Sequence, residues 1–443
     1  MTSNGLPAVL LKSTRWRRNY LSSLLKDRRW CFNVKGQTGN VCILPFCAAG
    51  TVAEFVGYRM FWSSVGQRTC VGLRYRFLCL TTRQIILSSP GCLQDESFCT
   101  SVPAQGEGVK PPVKRWTVAM SPMSSVRAQL TCNISVSPLD PHTFPEADRA
   151  ILTVHGCGEQ LERSLDHVRV HYDDQSSELL ISADQVDHGV SVDLAAPINS
   201  DLFITTRGSG DVEVKKMECN VCKVQTERGN CLLHSIKGHQ VEVQSNGGHV
   251  TAVGTIHGNV SIKTHGDSAV DVKKLQGTSM NVSTEHGPLS VKVIYSESSS
   301  ISSSSGRIQL GHIQGNSVVK NVHGDTVIDG SNGSLNVSSH SGAIDVYVGD
   351  DSSANLHSHK GGVCVRVPSS LRAGVELRGA SVEISPEVVL SEVETHTDHS
   401  QTTLKGYMNG ASAAGQSIQA QTDTGSVTLR TQSWFDSLKL SQE

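Results

Sequence analysis

Phenylalanine and tryptophan are absent from residues 204–433, and tyrosine occurs there only at Tyr295, Tyr347 and Tyr407. A conventional domain of this size fills its interior partly with aromatic side chains, so this composition argues against a core of that kind. The aromatic platforms on which single-stranded nucleic acids and sugar rings stack are missing too. The stretch is instead rich in glycine, serine, valine, histidine and asparagine. These residues favour many thin layers of small aliphatic side chains.

The signature sequences of common enzymes are missing as well: the chain has no G-x-S-x-G elbow, Walker loop or H-E-x-x-H sequence. Its acids do not form the G-G-x-G-x-D nonapeptides of calcium-binding β-rolls. We therefore predict a protein that is not an enzyme, with no catalytic residue, no cofactor and no resident metal. A polysaccharide hydrolase stays open as an alternative, because some β-solenoids cluster catalytic acids on one face.

The net charge of −2 argues against a nucleic-acid partner, because binding to nucleic acid depends on basic side chains that neutralise the phosphates. The most apolar early window, residues 43–62, is interrupted by Pro45, Glu54 and Arg59. It falls short of the ~20 apolar residues that a membrane span needs, so we expect no transmembrane segment. The thirteen cysteines are irregularly spaced, which favours free thiols in a reducing compartment over a secreted disulfide framework.

Residues 1–112 are predicted to be a basic, acid-poor segment followed by a linker. Residues 1–94 contain thirteen lysines and arginines but only two acids, Asp27 and Glu54. Leucines alternate with arginine, lysine and serine over residues 9–30, which is typical of a mitochondrial presequence. A disordered basic tail on a cytoplasmic protein is the alternative. Proline and glycine over residues 97–114 indicate a linker, with the domain boundary near Pro112.

The most informative feature of the chain is an internal repeat. Glycines recur at intervals of eighteen or nineteen residues, with one double interval of 39 whose midpoint lies beside Gly266. The series comprises Gly210, Gly229, Gly248, Gly287, Gly306, Gly324, Gly342, Gly361 and Gly379. Most of these glycines precede a short alternating strand, and a second strand follows about nine residues later. Each period is therefore predicted to be strand, corner, strand, corner.

A single coil of nineteen residues buries too few side chains to offset the entropy lost on ordering them. Stacking the coils supplies the missing backbone pairing and a continuous apolar interior. The sequence thus predicts an all-β protein, an elongated single-stranded β-solenoid with coils of about nineteen residues over residues 201–432. Residues 113–200 are predicted to be irregular first coils that also cap the stack. Residues 433–443 contain Trp434 and Phe435 and are predicted to be a C-terminal cap peptide, with a partner-docking peptide as the alternative.

Short G-x-V-x-V strands joined by Thr/Ser-x-x-Gly corners resemble the putative-adhesin domain family. The resemblance covers residues 114–443 and extends to the vertebrate member of that family. It implies a β-solenoid fold and, for the vertebrate member, a mitochondrial location; it implies no catalytic residues. The segments that carry it are Cys219–Lys223, Val282–Gly287, Gly342–Val348, Lys360-Gly361, Val367–Leu371 and Gln432–Leu440.

Histidines at the corners are the residues most suggestive of a site. His265, His286 and His323 precede corner glycines, and His340 and His359 lie two residues before theirs. Stacked coils could align them into a metal-binding imidazole ladder, or they could be solvated corner residues.

Several other sequence features also have a functional and a purely structural interpretation. Cys219 and Cys222 have the spacing of a zinc or redox half-site, or are small apolar residues on a strand. The run of serines over residues 296–305 is predicted to be a loop extruded between coils. Five N-x-Ser sequons would mark glycosylated surface in a secreted protein; they lie at Asn133, Asn259, Asn281, Asn332 and Asn336.

Three hypotheses for function follow from these observations. The first is a non-enzymatic scaffold or protein-interaction module that binds an unidentified protein partner in mitochondria, with the chain itself a monomer. The second is an extracellular adhesin-like binding protein. The third is the polysaccharide hydrolase.

Overall fold

The computed structural model describes residues 112–156, 168–183, 189–398, 400–410 and 415–432. All the regular structure among them is β-strand, which confirms the predicted β-solenoid fold. Since these residues form no helix, this part of the chain contains no helix that could cross a bilayer. The predicted presequence and the C-terminal cap peptide at 433–443 lie outside the described residues.

Twenty-seven strands are formed by the described residues, numbered here in chain order. The first nine are β1 (Pro112–Ala119), β2 (Ser125–Leu130), β3 (Asn133–Pro138), β4 (Arg149–His155), β5 (Val168–Asp173), β6 (Glu178–Ala183), β7 (Ser191–Ala196), β8 (Asp201–Thr206) and β9 (Val212–Lys215). The next nine are β10 (Glu218–Thr226), β11 (Cys231–His234), β12 (Lys237–Ser245), β13 (Val250–Thr264), β14 (Val270–Thr284), β15 (Leu289–Ser303), β16 (Ile308–Asn321), β17 (Thr326–Asn332) and β18 (Ser334–Ser339). The last nine are β19 (Ile344–Val348), β20 (Ser353–Ser358), β21 (Val363–Val367), β22 (Ala373–Gly379), β23 (Ser381–Ile384), β24 (Leu390–Asp398), β25 (Gln401–Met408), β26 (Gln416–Thr422) and β27 (Ser426–Thr431).

Parallel pairing between successive coils builds the solenoid. Val224 in β10 pairs with Val243 in β12, nineteen residues later. Val260 in β13 pairs with Met280 in β14 at a spacing of twenty, and Ile301 in β15 pairs with Val319 in β16 at a spacing of eighteen. The predicted period is confirmed, and it varies by one residue because single residues are added or removed at the bends.

The coils in the middle of the stack have three sides instead of the predicted two. Strand β13 runs from Val250 to Thr264 without a break, bending at Gly254 and Gly258. Its three segments pair separately with β14, and the register shifts between them. Strands β14, β15 and β16 follow the same course, so each central coil is one long bent strand closed by a single tight turn.

Inward-facing side chains from all three sides of the coil fill the interior. In β13 they include Val250, Ile256 and Ile262, one from each side and all fully buried. The equivalent residues of the next coil, Val270 and Leu275 among them, pack directly on the first set. Alternation of inward and outward residues therefore places small aliphatic side chains in layers, as the absence of aromatic residues predicted.

The serine run of residues 296–305 is largely strand, so the predicted extruded loop was wrong. Ser298–Ser303 pair with β14 and β16 as part of β15. Ser299 lies at an inward position, and its Oγ is 2.6 Å from Oγ of Ser317 in the next coil. Serine is accepted inside because this pair satisfies both hydroxyls.

The order of coils along the stack departs from chain order at its N-terminal end. Strands β2 and β3 form the first coil in the sequence, yet β2 lies between β6 and β8, and β3 lies between β7 and β9. Strands β4 and β5 then add antiparallel to β7 and β6, and β1 adds antiparallel to β4. The first coil is thus enclosed between two later ones.

The C-terminal end repeats this arrangement. Strands β26 and β27 form the last described coil, but β26 lies between β20 and β22, and β27 lies between β21 and β23. The hairpin of β24 and β25 continues the sheet beyond β22 through antiparallel pairing. Among the described residues, β24 is therefore the outermost strand on this side of the stack.

Candidate functional site

Six tight turns of the described stack are built on a Ser/Thr/Asn-x-x-Gly sequence that is closed by the same side-chain hydrogen bond. The side chain of the first residue accepts a hydrogen bond from the N–H of the glycine three positions later, as from Gly342 to Oγ of Ser339 at 2.9 Å. The same bond forms at Ser245/Gly248, Ser303/Gly306, Asn321/Gly324, Ser358/Gly361 and Thr422/Gly425. Because the first residue points inward, the two middle residues of the turn project into solvent.

The glycines of these turns are needed for close approach between coils. A Cβ on Gly342 would overlap the carbonyl oxygen of Gly324 in the preceding coil, and no positive φ occurs there. Positive φ is found instead at other bends, such as Gly258 (134°) and Gly333 (116°). Close approach between coils, and not positive φ, is therefore the reason for glycine in these turns.

The stack departs from the predicted glycine series at two places. A Cβ on Gly287 would overlap the carbonyl oxygen of Ser268, so Ser268 and not Gly266 occupies the equivalent turn position in the preceding coil. Gly425 lies between Gly361 and Gly379, because the last coil is inserted there. The regular spacing in the sequence therefore identifies the turns correctly but not their complete order in space.

The middle positions of three successive turns hold His323, His340 and His359. The ring centroids of His323 and His340 are 5.9 Å apart in an edge-on arrangement, and those of His340 and His359 are 5.0 Å apart and stacked. Nδ1 of His359 is hydrogen-bonded to the carboxylate of Asp423, which occupies the turn of the inserted last coil. Nε2 of His357 lies 3.5 Å from the other oxygen of that carboxylate. We call these five residues the histidine corner.

The electrostatics of the histidine corner favour an anionic Asp423 and an uncharged His340. The hydrogen bond from His359, supported by His357, holds the pKa of Asp423 below its usual value. Partial desolvation, with the nearby positive charges of His359, Lys360 and His323, lowers the pKa of His340. One carboxylate thus joins the inserted coil to its neighbour through two imidazoles.

The other two corner histidines do not join this group. Nδ1 of His265 and Nε2 of His286 each lie 3.7 Å from the carboxylate of Glu285. Ser304 and Ser305 occupy the next turn, so the imidazole ladder is interrupted before His323. No three histidine, cysteine or acidic side chains of the described residues are placed to hold one metal ion.

We expect Asp423→Asn to lower the stability of the protein at neutral pH by about 0.5 kcal/mol, because the partners of Asp423 are half exposed. A carboxyl whose pKa is lower in the folded state contributes stability above its unfolded pKa, and loses it as the pH falls through the folded one. The difference from wild type should therefore shrink as the pH falls below the ordinary carboxyl pKa of about 4. Thermal unfolding at pH 7 and pH 3 measures it, with Asp351→Asn on an exposed turn as the control. An equal loss at both pH values would contradict this prediction.

Cys219 and Cys222 lie in β10 and point into the interior, where Cys231 of β11 joins them; all three are free thiols. The hydrogen bond with Cys219, together with burial, raises the pKa of Cys222. Burial also raises the pKa of Cys231 to about 12. The thiols of Cys222 and Cys231 are therefore protonated, and the structure favours the interpretation that Cys219 and Cys222 are small apolar residues on a strand.

A buried arginine that sequence reasoning missed lies on the outer side of β21. Nε of Arg366 is 2.6 Å from Oδ1 of Asp345, and one terminal nitrogen is 3.6 Å from Oδ1 of Asp329. Its other bonds go to the carbonyl oxygen of Ile328 and the side-chain oxygen of Gln432, both at 3.1 Å. Only 1% of Arg366 is exposed. Desolvation raises the pKa of Asp329 and outweighs the opposing effect of Arg366. The cluster joins four segments of the chain.

The edge strand β24 has a different character. Eight consecutive residues, Ser391–Asp398, are exposed, whereas the strands of the stack alternate between buried and exposed positions. Its only strand partner in the described part of the chain is β25. On the outer surface, Glu376, Lys405 and Glu394 lie side by side on β22, β25 and β24, and Nζ of Lys405 is 3.0 Å from Oε1 of Glu376. A shallow groove of about 330 Å³ runs beside them, lined also by Glu392 and Tyr407.

The fold and these surfaces define a β-solenoid with a filled interior, polar turns and one exposed sheet edge. Residues 158–314 match the model of the family described as Toastrack DUF4097. This part of the chain is similar to that family, which supports the coarser part of the predicted resemblance, a putative-adhesin domain. The closer resemblance to a vertebrate mitochondrial member stays a prediction.

Three solved structures are also similar to the chain. A putative adhesin from Parabacteroides merdae is 12% identical, with 72% of this chain and 96% of that chain covered and a TM-score of 0.34. A putative adhesin from Bacteroides fragilis is 10% identical, with 73% and 100% covered and a TM-score of 0.25. A putative cell adhesion protein from Clostridium sporogenes is 9% identical, with 73% and 100% covered and a TM-score of 0.13.

Proposed function

We propose that this protein is a non-enzymatic scaffold that binds a protein partner through the outside of its solenoid, and that it acts in mitochondria. The observation that most directly supports the binding role is the layered interior. Aliphatic side chains fill each coil, so the surface left for function consists of outward strand positions, turns and the exposed edge strand. Rigid repeats of this kind present extended surfaces to other proteins.

The chemistry of the charged clusters supports a binding role over a hydrolytic one. Asp329 and Asp345 come together at Arg366, which pairs with both and is itself buried. Carboxylates committed to a buried cation are not free to act as the acid and base of glycoside hydrolysis. The mitochondrial part of the proposal rests on composition, namely the basic and acid-poor residues 1–94.

An extracellular binding protein is the second candidate, and one observation favours it. Four of the five sequon asparagines, Asn133, Asn281, Asn332 and Asn336, are exposed on the stack. Glycan could be attached to each of them without disturbing the interior.

One experiment on the endogenous full-length protein tests both candidates. Cells are treated with a lysine-reactive cross-linker and fractionated, and the protein is purified for peptide mass spectrometry. We expect a mature terminus downstream of the arginine-rich residues 9–30 in the mitochondrial fraction, unmodified asparagines, and cross-links from the stack to one recurring partner.

Other results of the same experiment would overturn parts of the proposal. An intact Met1 in the cytosol would exclude import, and glycan on Asn281 or Asn336 would assign the protein to the secretory route. Cross-links confined to the protein itself, under conditions that capture known mitochondrial complexes, would contradict the scaffold.

A further inference from the structure

We propose that the edge strand β24 binds an extended, basic segment of a partner protein by adding it to the sheet as a further strand. This inference rests on the proposed scaffold function. It names the strand at which the partner binds and the kind of residues that the partner contributes. An edge strand presents a row of unpaired N–H and C=O groups on its outer side, which is a template for another strand. In the described chain, β24 pairs on one side only.

The pairing across the hairpin predicts what the added strand contains. Glu376, Lys405 and Glu394 lie opposite one another in three neighbouring strands, so the charge alternates from negative to positive to negative. Opposite charges on adjacent strands stabilise a sheet, and like charges directly opposite destabilise it. The position next to Glu394 therefore favours lysine or arginine.

The inner surface of the same hairpin favours apolar residues in the alternate positions. Leu377, Leu404 and Thr395 are paired across β22, β25 and β24 on that side. Val393 of the same strand packs toward Gly406 and leaves 49% of its surface exposed. A segment in which basic and β-branched residues alternate satisfies both surfaces at once, because successive side chains of a strand point to opposite faces.

The charge of β24 argues against a second copy of this chain as the occupant. The strand contains Glu392, Glu394 and Asp398 but no lysine or arginine. Pairing with its own copy would place acid against acid, which is a common device for preventing edge-to-edge association. A bulge between Ser391 and Glu394, with Glu392 at a φ of 51°, confines regular pairing to Glu394–Asp398. The edge of β24 therefore disfavours pairing with a second copy of β24 and favours pairing with a short basic strand.

The test uses the full-length protein and a synthetic eight-residue peptide in which lysine and valine alternate, with binding followed by fluorescence anisotropy. Replacing Glu394 with lysine turns an attraction into a repulsion, so we expect Glu394→Lys to weaken binding about tenfold, and Glu392→Lys to weaken it less. The matched control is Glu297→Lys, an equally large charge change at an exposed position of β15. It should leave the affinity within about twofold of wild type, since surface charges there act only at long range.

Two further measurements separate strand addition from general attraction between charges. A peptide with four lysines followed by four valines should bind at least about fivefold more weakly, because it cannot alternate its side chains between the two faces. Amide hydrogen exchange should slow in residues 394–398 when the alternating peptide is bound.

Equal binding of both peptides, an equal effect of Glu297→Lys, or protection elsewhere in the chain would overturn the inference. So would a dimer of the wild-type protein that Glu394→Lys dissociates, since the edge would then belong to a second copy. If the cellular cross-linking finds a partner while the peptide fails these tests, the scaffold stands and only the assignment to β24 is wrong.

Discussion

Replacing Gly342 with alanine is expected to lower the free energy of unfolding by about 3 kcal/mol, one of the largest effects that a single methyl group can have in this protein. The new Cβ would overlap the carbonyl oxygen of Gly324, which is backbone and is fixed by the strands on either side. The coils can separate locally only by breaking the hydrogen bonds that join them, and overpacking is costly where the neighbour cannot move. Urea unfolding followed by circular dichroism measures the loss.

Gly362 provides the matched control for this substitution. It lies one coil further along, and a Cβ there would come no closer than 3.5 Å to another atom, the carbonyl oxygen of Ser426. We expect Gly362→Ala to change stability by less than about 0.5 kcal/mol, since it also reduces the freedom of the unfolded chain. If the two variants were equally stable, the close approach of the coils would not be the reason for the glycine repeat.

Arg366→Met is expected to cost about 3–5 kcal/mol at neutral pH, because it leaves Asp329 and Asp345 without their buried cation. The carbonyl oxygen of Ile328 also loses its donor. Burial already raises the pKa of Asp329 in the wild-type protein. A carboxyl with a raised folded-state pKa destabilises the protein when it is ionised, so lowering the pH from 7 to about 4 should recover part of the loss. Thermal unfolding across this pH range is the measurement.

The control for this prediction is Arg430→Met. Arg430 approaches the same carboxylate, with a terminal nitrogen 3.9 Å from Oδ2 of Asp345, but its side chain is 48% exposed. An exposed ion pair contributes less than about 1 kcal/mol, so this variant should be nearly as stable as wild type. A similar loss in both variants, or a loss that does not depend on pH, would show that Arg366 acts only by filling space.

The regular part of the fold was predictable because it depends on local pattern. Alternating valines, the glycine spacing and the Ser/Thr-x-x-Gly corners each describe one coil, and every coil pairs with its neighbour in the same way. The third side of the central coils was missed, since β13 bends within a stretch that reads as two strands and a corner. The serine run was predicted to be a loop because polar residues usually mark loops. In the structure the buried hydroxyl of Ser299 is hydrogen-bonded to that of Ser317, which allows serine inside a strand.

The candidate sites were predicted less completely, because their residues meet across long distances in the sequence. The spacing placed His340 and His359 in successive turns, but Asp423 is 64 residues beyond His359 and meets it only through the inserted last coil. Arg366 occupies an outward strand position, which predicts exposure, and the network that covers it comes from several coils. The edge at β24 depends on which strand ends the sheet, and alternation alone does not specify that order.

The inserted first and last coils have a mechanical consequence. In a stack assembled in chain order, a pull on either end peels away an outer coil that is attached on one side. Here a force on the segment after Thr431 acts on β26 and β27, each of which is hydrogen-bonded to a strand on both sides. Freeing that coil requires both contacts to be sheared together, and β2 and β3 pose the same obstacle from the other direction. An unfolding motor that threads the chain from an end would meet its greatest resistance at the first coil it engages.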